Sequence, residues 1–286
     1  MLGSPIGHSL SPVLHRAAYA ALGLHGWVYD AYDVTEDRLA GFLAELDPSD
    51  PSWAGLSLTM PLKAAVLPLL DGASPLVEAV GAANTVLLRD GRRLGENTDV
   101  PGMVAALESA GVAGPGSVRS AAVLGGGATA RSALAALAAV TGDVTAYVRT
   151  AARAEALAAT AEAVGLRLDV RPWSAAAEAL AAPLVVNTTT AGAADALVTA
   201  VPRSVGTLLE VLYDPWPTPL AAAWAARRAT VVDGLELLVR QAVLQVGLMT
   251  GADLEAADGK DGPGRPGVAD LVGLLRATGE RALRSA

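Results

Sequence analysis

The residue best suited to moving a proton is Lys63, at the end of the stretch 56–63 (LSLTMPLK). The chain has 19 Arg but only two Lys, so a lysine stands here against a strong preference for arginine. An arginine keeps its proton in proteins, whereas a lysine ammonium can release it and shifts its pKa when buried. Lys63, with Thr59 nearby, is therefore a candidate catalytic amine. The alternative is a surface lysine on the first turn of a helix that Pro61 opens.

Asparagine and glutamine are as rare as lysine. Each of the three Asn (Asn84, Asn97 and Asn187) stands in a polar string beside an apolar one, and the two Gln lie four residues apart, at Gln241 and Gln245. Loop and cap positions are ordinary roles for asparagine. Three such strings in a chain that avoids the residue favour ligand-binding roles for at least some of them.

The segment 4–12 (SPIGHSLSP) is a loop dense in small hydroxyl side chains. Pro12 at the first helical position, with Ser11 as N-cap, predicts a helix through about Leu22. One serine satisfies that cap, which leaves Ser9 free to bind a polyol. The alternative is that both serines serve only in capping.

In the first hundred residues, the elements around these side chains are short. The sequence predicts strands over 27–34 and 54–58, helices over 35–46, 75–80 and 101–110, and a hairpin of 84–89 with 92–96 around Asp90-Gly91. The strand over 54–58 delivers Thr59 and Lys63 at its carboxyl end, which is where open α/β sheets form their pockets.

A second periodic block begins at Ala121. The sequence predicts strands over 121–124, 143–148, 166–170, 184–187 and 207–211, with helices over 131–140 and 151–164. Alternating elements of this length predict an α/β fold with a doubly wound parallel sheet. Helices over 234–250 and 268–284 follow, separated by a flexible loop at 257–267.

Composition excludes several classes of function. A length of 286 residues allows two domains of ordinary size. A net charge of −8 without any basic run argues against nucleic acid and against an anionic membrane surface as partners. The chain has no Cys, and its three His lie within 18 residues without HExxH spacing, so we expect no metal site. No apolar stretch is long enough to span a membrane and no signal peptide is evident, so we expect a cytoplasmic protein.

A glycine-rich turn follows the first strand of the second block. Gly125, Gly127 and Ala130 fit the dinucleotide fingerprint, with Ala in the third place. Its glycines permit a tight turn and let a pyrophosphate approach the helix N-terminus. The motif alone is a weak signal, but its place between a strand and a helix strengthens it.

The end of the next strand indicates which nucleotide binds. An NAD site wants Asp or Glu there, whereas this strand runs into Arg149, Thr150 and Arg153. Two guanidinium groups and a hydroxyl at a helix N-terminus suit a 2′-phosphate, so the sequence predicts NADP(H). The alternative is a Thr150 N-cap with two solvated arginines, which the unfavourable place of Arg153 in the helix dipole disfavours.

The sequence resembles the shikimate dehydrogenase family along nearly its whole length. The motifs that carry the resemblance are 3–12 (GSPIGHSLSP), 58–63 (LTMPLK), 81–85 (GAANT), 97–99 (NTD), the glycine turn, 149–153 (RTAAR), Tyr213, and 233–235 (DGL) followed by Gln241. The resemblance implies a reversible, NADPH-dependent reduction of 3-dehydroshikimate to shikimate in aromatic amino-acid biosynthesis. It implies an N-terminal substrate domain (1–100 plus 234–286), a Rossmann domain (101–233) and last helices that return to the first domain.

By position in these motifs, the resemblance implies a catalytic pair of Lys63 and Asp99. The implied substrate-binding residues are Ser9, Ser11, Thr59, Asn84, Tyr213 and Gln241. The implied cofactor-binding residues are Gly125, Gly126, Gly127, Ala128, Thr129, Arg149, Thr150, Arg153, Thr188, Val211 and Gly234. The implied partners are the small-molecule substrate and cofactor, with a monomer or homodimer as the assembly. The chemistry agrees, because a nearby ammonium stabilises and protonates the oxyanion that hydride delivery to a ketone creates.

Four positions depart from the family pattern. Ser57 stands for the usual Asn, Val100 for a Gly, Ala128 for a Gly of the glycine turn, and Val148 for an Asn. We expect Ala128 to tighten or shift the pyrophosphate contact and Val148 to lose one hydrogen bond on the adenosine side. The family's first strand also precedes Gly3, so we expect either an upstream start or a shortened strand.

Three alternatives remain open at this point. The first is a shikimate/quinate dehydrogenase relative, whose pocket near Ser9 and Thr59 admits an extra ring hydroxyl. The second is a catalytically idle NADP-binding homologue, although Lys63 and Asp99 are both present. The third is a folate-linked dehydrogenase of similar two-domain design, which leaves Ser9, Ser11 and Gln241 unexplained.

Overall fold

The computed structural model describes residues 1–252, 254 and 266–285, so most of the predicted loop at 257–267 lies outside the described residues. Contacts divide the chain into two compact units: Met1–Thr98 with Leu238–Ala286, and Asp99–Leu237. None of the helices in the described ranges is long and apolar enough to cross a membrane.

The elements alternate along the chain. The strands are β1 (Leu2–Gly3), β2 (Tyr32–Asp33), β3 (Gly55–Ser57), β4 (Gly72–Ala73), β5 (Thr85–Arg89), β6 (Arg92–Glu96), β7 (Ala121–Leu124), β8 (Asp143–Val148), β9 (Arg167–Pro172), β10 (Leu184–Asn187), β11 (Thr207–Glu210) and β12 (Val231–Val232). The α-helices are α1 (Ser11–Ala21), α2 (Glu36–Ala44), α3 (Leu62–Ala65), α4 (Pro75–Val80), α5 (Asp99–Ser109), α6 (Ala128–Leu137), α7 (Ala151–Ala163), α8 (Pro219–Ala225), α9 (Gly234–Thr250) and α10 (Val268–Ser285). Short 3₁₀ helices cover Leu67–Leu69, Trp173–Ala181 and Asp195–Ala200.

The first unit is built on a mixed sheet of order β3-β5-β6-β4. β5 is antiparallel to both β3 and β6, and β4 is parallel to β6. β1 pairs in parallel with β2 and makes a bridge from Leu2 to Leu58, just beyond β3. An aliphatic core that includes Leu2, Leu56 and Leu62 packs against this sheet.

The β5–β6 hairpin turns at Asp90-Gly91, as the sequence predicts. Both residues have positive φ, 52° and 71°. A two-residue turn with two positive φ angles matches the right-handed twist of the flanking strands. Ser74 caps α4, the helix predicted over 75–80, since its side chain accepts from the backbone N–H of Val77.

The second unit holds a six-stranded, all-parallel sheet of order β12-β11-β10-β7-β8-β9. The chain starts in the middle at β7, winds outward through β8 and β9, and returns to β10 on the other side. This arrangement confirms the doubly wound fold, and it places a crevice at the carboxyl ends of β7 and β10, where the winding direction reverses. Buried side chains such as Leu124, Leu208 and Trp224 form the core on one face.

Three predicted elements differ from the structure in ways that bear on the site. The strand predicted over 27–34 is reduced to β2, because its backbone pairs only with the two residues of β1. Helix α5 begins at Asp99 rather than near Pro101, so Asp99 is the first helical residue and not an N-cap. Helix α6 begins at Ala128, three residues earlier than predicted, so the glycine turn leads directly into the helix.

Candidate functional site

In the first unit, backbone hydrogen bonds join three sequence motifs that carry candidate residues. The N–H of Thr59 donates to Leu2 O (2.9 Å), which ties the 58–63 motif to the N-terminal strand. The N–H of Leu58 donates to Asn84 O (2.7 Å), and the N–H of Ala83 donates to Lys63 O (2.8 Å). Thr59, Lys63 and Asn84 are therefore held on adjoining backbone segments although they are distant in sequence.

Lys63 is a half-buried residue in the first turn of α3. The helix follows Pro61, which occupies the N-cap position and not the first turn. The carbonyl that accepts from Ala83 fixes the Lys63 backbone, so that the side chain starts from a rigid point. Asp99, the other member of the predicted pair, is buried at the start of α5.

Neither serine of the N-terminal loop occupies the N-cap position that the sequence predicts for Ser11. Ser11 is the first residue of α1 and is buried, with Leu10 at the N-cap position. The hydroxyl of Ser9 accepts from the Ser11 N–H (3.2 Å) and lies 3.0 Å from the Met1 sulfur. The prediction that Ser11 caps the helix and leaves Ser9 free is wrong in this respect, because Ser9 supplies the turn that begins the helix.

Asn84 is 2 % exposed and its side chain is fixed by neighbouring groups. Its Oδ1 accepts from the Thr98 N–H (2.8 Å) and the Thr85 hydroxyl (3.0 Å). Its Nδ2 donates to Thr98 Oγ1 (2.8 Å) and reaches Gln241 Oε1 (3.4 Å). The structure thus brings together Asn84 and Gln241, two of the predicted substrate-binding residues, from positions 157 apart in the chain.

This polar cluster extends further than the sequence analysis assigned. Gln245 Nε2 donates to the Asn84 carbonyl (3.3 Å) and to Thr85 Oγ1 (3.0 Å). Its Oε1 accepts from Ser57 Oγ (2.9 Å) and lies 3.2 Å from His15 Nε2. The four-residue spacing of the two glutamines, which places them on one helix face, was the available signal for Gln245. His15 carried none.

His15 is completely buried and stacks on Tyr29, with ring centroids 3.9 Å apart and planes 16° apart. Burial lowers the pKa of His15 to about 3, against a smaller opposing effect of the hydrogen bond to Gln245. The ring is therefore neutral at physiological pH.

In the second unit, the glycine turn packs against the end of β10 at the winding reversal. Gly125 has φ of 112°, a conformation that favours glycine, and a Cβ there would lie 2.5 Å from Thr188 Oγ1. That hydroxyl donates to Leu124 O (2.8 Å). Gly125 and Thr188, both predicted cofactor residues, are consequently in direct contact at the carboxyl ends of β7 and β10.

Gly126 brings the same turn against the end of β8. A Cβ at Gly126 would lie 2.8 Å from Arg153 Cβ and 2.9 Å from Val148 Cγ1. The Arg153 guanidinium donates through Nη1 to Gly126 O (3.2 Å). The turn ends at Gly127, the N-cap of α6, which has no side chain to accept from the first N–H groups of that helix.

The residues predicted to select the nucleotide lie beside this turn. Thr150 caps α7 by accepting from the Arg153 N–H (3.4 Å). Its hydroxyl therefore has a structural role, as the alternative interpretation of this residue supposed. Arg149 is exposed, and its guanidinium carbon lies 5.4 Å from the centre of the Trp173 ring, a cation–π arrangement.

Sequence analysis missed Arg131, on the first turn of α6. Its Nε is buried without a hydrogen-bond partner. Burial, and then the charge of Arg153, lower the pKa of Arg131. Two cations that repel each other beside an uncapped helix N-terminus form an anion site, so these residues fit a phosphate-bearing dinucleotide. A single buried guanidinium nitrogen without a partner has no signature in the sequence.

Val211 and Gly234 also meet. A Cβ at Gly234 would lie 2.4 Å from Val211 O and 2.6 Å from Leu212 O, so the start of α9 packs on the backbone that follows β11. The N–H of Val211 donates to Asn187 O (3.1 Å). Tyr213 follows in the same loop and is half-buried.

A buried carboxylate that the sequence did not reveal supports this loop. Glu210 has 0 % exposure and accepts from Asn187 Nδ2 (2.8 Å), the Thr218 hydroxyl (3.0 Å) and the Leu212 N–H (3.3 Å). Burial raises the pKa of Glu210, with the hydrogen bonds acting in the opposite direction. Glu210 thus ties the end of β10 to the loop that carries Tyr213.

Within the described part of the chain, no group of three or more His, Asp or Glu side chains is arranged to hold a metal ion.

A family model and the sequences of known proteins both show similarity to shikimate dehydrogenases. The family model described as the shikimate dehydrogenase substrate binding domain matches residues 1–86. The NADP(+) shikimate dehydrogenase of Thermus thermophilus is 38% identical over 255 residues, which cover 88% of this chain and 91% of that protein.

Solved structures show the same similarity. The crystal structure of Mycobacterium tuberculosis shikimate dehydrogenase has a TM-score of 0.81 at 35% identity, and the match covers 96% of this chain and 97% of that one. The Thermus thermophilus shikimate 5-dehydrogenase in complex with NADP(H) and shikimate has a TM-score of 0.76 at 34% identity, with 97% of each chain covered.

The low pKa of His15 predicts a specific loss of stability in acid. Since the pKa falls from 6.5 to about 3 on folding, the unfolded chain binds more protons between these values. The contribution of neutral His15 is complete above the higher value and declines as pH falls toward the lower one, by at most about 1.4 kcal/mol per pH unit. Urea unfolding between about pH 7 and pH 4 should show a steeper decline for the wild type than for His15→Gln. If the free energy of unfolding had the same pH dependence in the wild type and in His15→Gln, the lowered pKa of His15 would be contradicted.

Proposed function

We propose that this chain, which belongs to the shikimate dehydrogenase family, catalyses the reversible, NADPH-dependent reduction of 3-dehydroshikimate to shikimate. This reaction is a step of aromatic amino-acid biosynthesis. The observation that carries the proposal is the buried Asn84–Gln241 pair. Asn84 follows Ala83, which bonds the Lys63 backbone, and both lie within residues 1–86, which the substrate-binding family model matches.

The substrate-binding residues of the proposal are neutral hydrogen-bonding groups. Ser9, Ser11, Thr59, Asn84, Gln241 and Tyr213 supply hydroxyl and amide groups, which suit the ring hydroxyls and carboxylate of a polyol acid. Asn84 and Gln241 are 2% and 7% exposed, so a bound oxygen there would be largely removed from water. Directional bonds from such groups discriminate strongly against analogues that leave them unpaired.

Lys63 is the proposed general acid. Its ammonium donates a proton to the ketone oxygen as negative charge develops there, and it accepts the proton back in the reverse reaction. Asp99 is the proposed partner that orients the amine. The amine suits this role and an arginine does not, since only the amine can release its proton at moderate pH.

The cofactor-binding residues of the proposal surround the glycine turn. The N-terminus of α6, after Gly125, Gly126 and Gly127, with Ala128 and Thr129 in its first turn, would hold the pyrophosphate. Arg149, Thr150 and Arg153 would hold the 2′-phosphate, and Thr188, Val211 and Gly234 would line the nicotinamide half. When bound, NADPH supplies the hydride.

The proposal also covers the roles of the two units, the cellular setting and the assembly. We assign the substrate-binding residues to the first unit except for Tyr213, which lies in the second unit together with the nucleotide-binding residues. The proposed setting is the cytoplasm, and the proposed assembly is a monomer or a homodimer.

The function is tested by following the absorbance of reduced nicotinamide while shikimate and quinate are each offered with NADP and with NAD. Activity confined to shikimate with NADP is the expected result. Activity with quinate would move the protein to the broader shikimate/quinate group, and equal activity with NAD would contradict the 2′-phosphate assignment. A wild type inactive with all four combinations, but able to bind NADP, would favour the idle homologue.

Replacing Lys63 tests the acid–base role. We expect Lys63→Ala to lower turnover by a factor on the order of 10²–10⁴, because a positioned proton donor contributes that much. Lys63→Arg, the matched control, keeps the positive charge but cannot release its proton, so it should fail as well. Shikimate affinity measured by calorimetry should stay within several-fold in both variants. Near-normal turnover in Lys63→Arg would exclude proton transfer by this residue.

Replacing Arg149 tests the choice of nucleotide. We expect Arg149→Ala to raise the dissociation constant for NADP roughly 10- to 100-fold, the value of a lost charge-assisted hydrogen bond, and to leave NAD almost unaffected. Arg167→Ala is the control, because Arg167 is an exposed arginine at the opposite end of the neighbouring strand, paired with Asp143. Parallel changes for the two nucleotides would count against a 2′-phosphate contact.

A further inference from the structure

We propose that His15, Gln245 and Thr85 are positioning residues that help to hold the Asn84 amide in the orientation in which its NH₂ group faces Gln241 and the substrate. This inference rests on the proposed function, in which the Asn84 and Gln241 amides bind the substrate. It extends that function to three buried residues that touch no substrate themselves.

The problem that these residues solve is the symmetry of an amide. Rotation of an Asn or Gln side chain by half a turn exchanges its oxygen and its NH₂ group with almost no change in shape. A binding site for hydroxyls and a carboxylate, however, needs a donor at one place and an acceptor at another. Something in the protein must therefore select one of the two orientations.

A backbone group helps to select the orientation of each of three amides, those of Gln245, Asn84 and Gln241. Gln245 Nε2 faces the Asn84 carbonyl (3.3 Å), Asn84 Oδ1 faces the Thr98 N–H (2.8 Å), and Gln241 Nε2 faces the Leu238 carbonyl (2.9 Å). A carbonyl only accepts and a backbone N–H only donates, so each contact favours one orientation of its amide, and further hydrogen bonds of the same sense add to that preference.

These orientations link into a chain of donors that all point the same way. Gln245 Nε2 donates to Thr85 Oγ1 (3.0 Å), so the proton of the Thr85 hydroxyl is directed to Asn84 Oδ1 (3.0 Å). Asn84 Nδ2 donates in turn to Thr98 Oγ1 (2.8 Å) and toward Gln241 Oε1 (3.4 Å). Bonds aligned in this way polarise and strengthen one another.

The last link is the one that a ligand can exchange. At 3.4 Å, the contact from Asn84 to Gln241 is longer than the contacts of the Asn84 side chain with Thr85 and Thr98, and hydrogen bonds weaken with distance. A substrate oxygen can accept the Asn84 hydrogen in its place while Thr85 and Thr98 keep hold of the other groups of the amide.

His15 closes the opposite end of the chain. Gln245 Oε1 already accepts from Ser57 Oγ (2.9 Å) and can bind His15 Nε2 (3.2 Å) only as an acceptor. His15 must therefore carry its proton on Nε2, with Nδ1 facing the Tyr19 hydroxyl at 3.5 Å. The stack on Tyr29 holds the ring in place, and its low pKa keeps it neutral, so the tautomer does not change at physiological pH.

Gln245 is consequently held by two donors at its oxygen and two acceptors at its nitrogen. Thr85, with 0% exposure, is the single hydroxyl between it and Asn84. Valine has nearly the same shape as threonine but lacks both the acceptor and the donor. Thr85→Val therefore interrupts the chain with little change in packing volume, and Thr85→Ser preserves the hydroxyl as a matched control.

The test measures shikimate binding to the full-length protein by calorimetry, together with steady-state kinetics. We expect Thr85→Val to weaken shikimate binding about tenfold and to raise the KM for shikimate equally, because one hydrogen bond that orders the amide is lost. Its kcat and its dissociation constant for NADP should stay within twofold of the wild type, roughly the scatter expected of a substitution that removes no contact to the cofactor. Thr85→Ser should bind shikimate about as tightly as the wild type.

A merely structural role predicts a different pattern. In that case Thr85→Val would lower the melting temperature but leave the shikimate dissociation constant unchanged, or it would reduce kcat and both affinities in parallel. Either result would overturn the positioning role.

A second measurement covers the case in which one variant folds poorly. Gln245→Leu and the double variant with Thr85→Val complete a thermodynamic cycle for shikimate binding. Residues that act through one chain are not additive, so the double variant should bind about as weakly as the weaker single variant. Independent, additive losses would overturn the proposal. A wild type that binds NADP but not shikimate would instead overturn the proposed function, and this inference with it.

Discussion

The first unit depends on one physical constraint: the buried Asn84 must have all of its hydrogen-bonding groups satisfied. Its carbonyl accepts from Leu58 and Gln245, its N–H donates to Glu96, and its side chain meets Thr98 and other groups. An unpaired buried polar atom costs about 1–3 kcal/mol, so the end of β3, the β5–β6 hairpin and helix α9 must stay in register around this residue. A residue proposed to bind substrate is thus also a structural hub of its unit.

The second unit is organised by the reversal of winding between β7 and β10. The parallel pairing of these two strands brings Leu124 and Asn187 level, and so places the glycine turn against Thr188. Gly125 is needed because of its positive φ and because Thr188 leaves no room for a Cβ there. Gly126 is needed because Val148 and Arg153 approach its backbone closely. The glycines are therefore needed for packing in the protein itself, in addition to the access that they give a pyrophosphate. At the end of the next strand, β11, the carboxylate of Glu210 joins the end of β10 to the loop that follows β11.

Much of the fold follows from local sequence, because strong periodicity and clear end signals coincide. The strands at 121–124, 143–148 and 184–187 and the helix at 234–250 have the predicted bounds. Prediction failed where tertiary pairing decides, as for the strand at 27–34, and where two serines compete for one cap. The contact of His15 with Gln245 spans 230 positions, and spacing along the chain carries no information about such a contact. Composition did single out the rare Gln and Asn residues, but it could not indicate their orientation.

The place of Arg149 over the Trp173 ring has a practical consequence. A cation on the face of an indole perturbs its excited state, so the emission of Trp173 depends on where that guanidinium lies. A guanidinium that turns to a phosphate leaves the ring face or changes its distance from it. The protein therefore carries an intrinsic optical reporter at the end of β9, beside Arg149 at the end of β8. Because the chain has five tryptophans, Trp173 is one contribution among five to a fluorescence titration with nucleotide, which needs neither a label nor turnover.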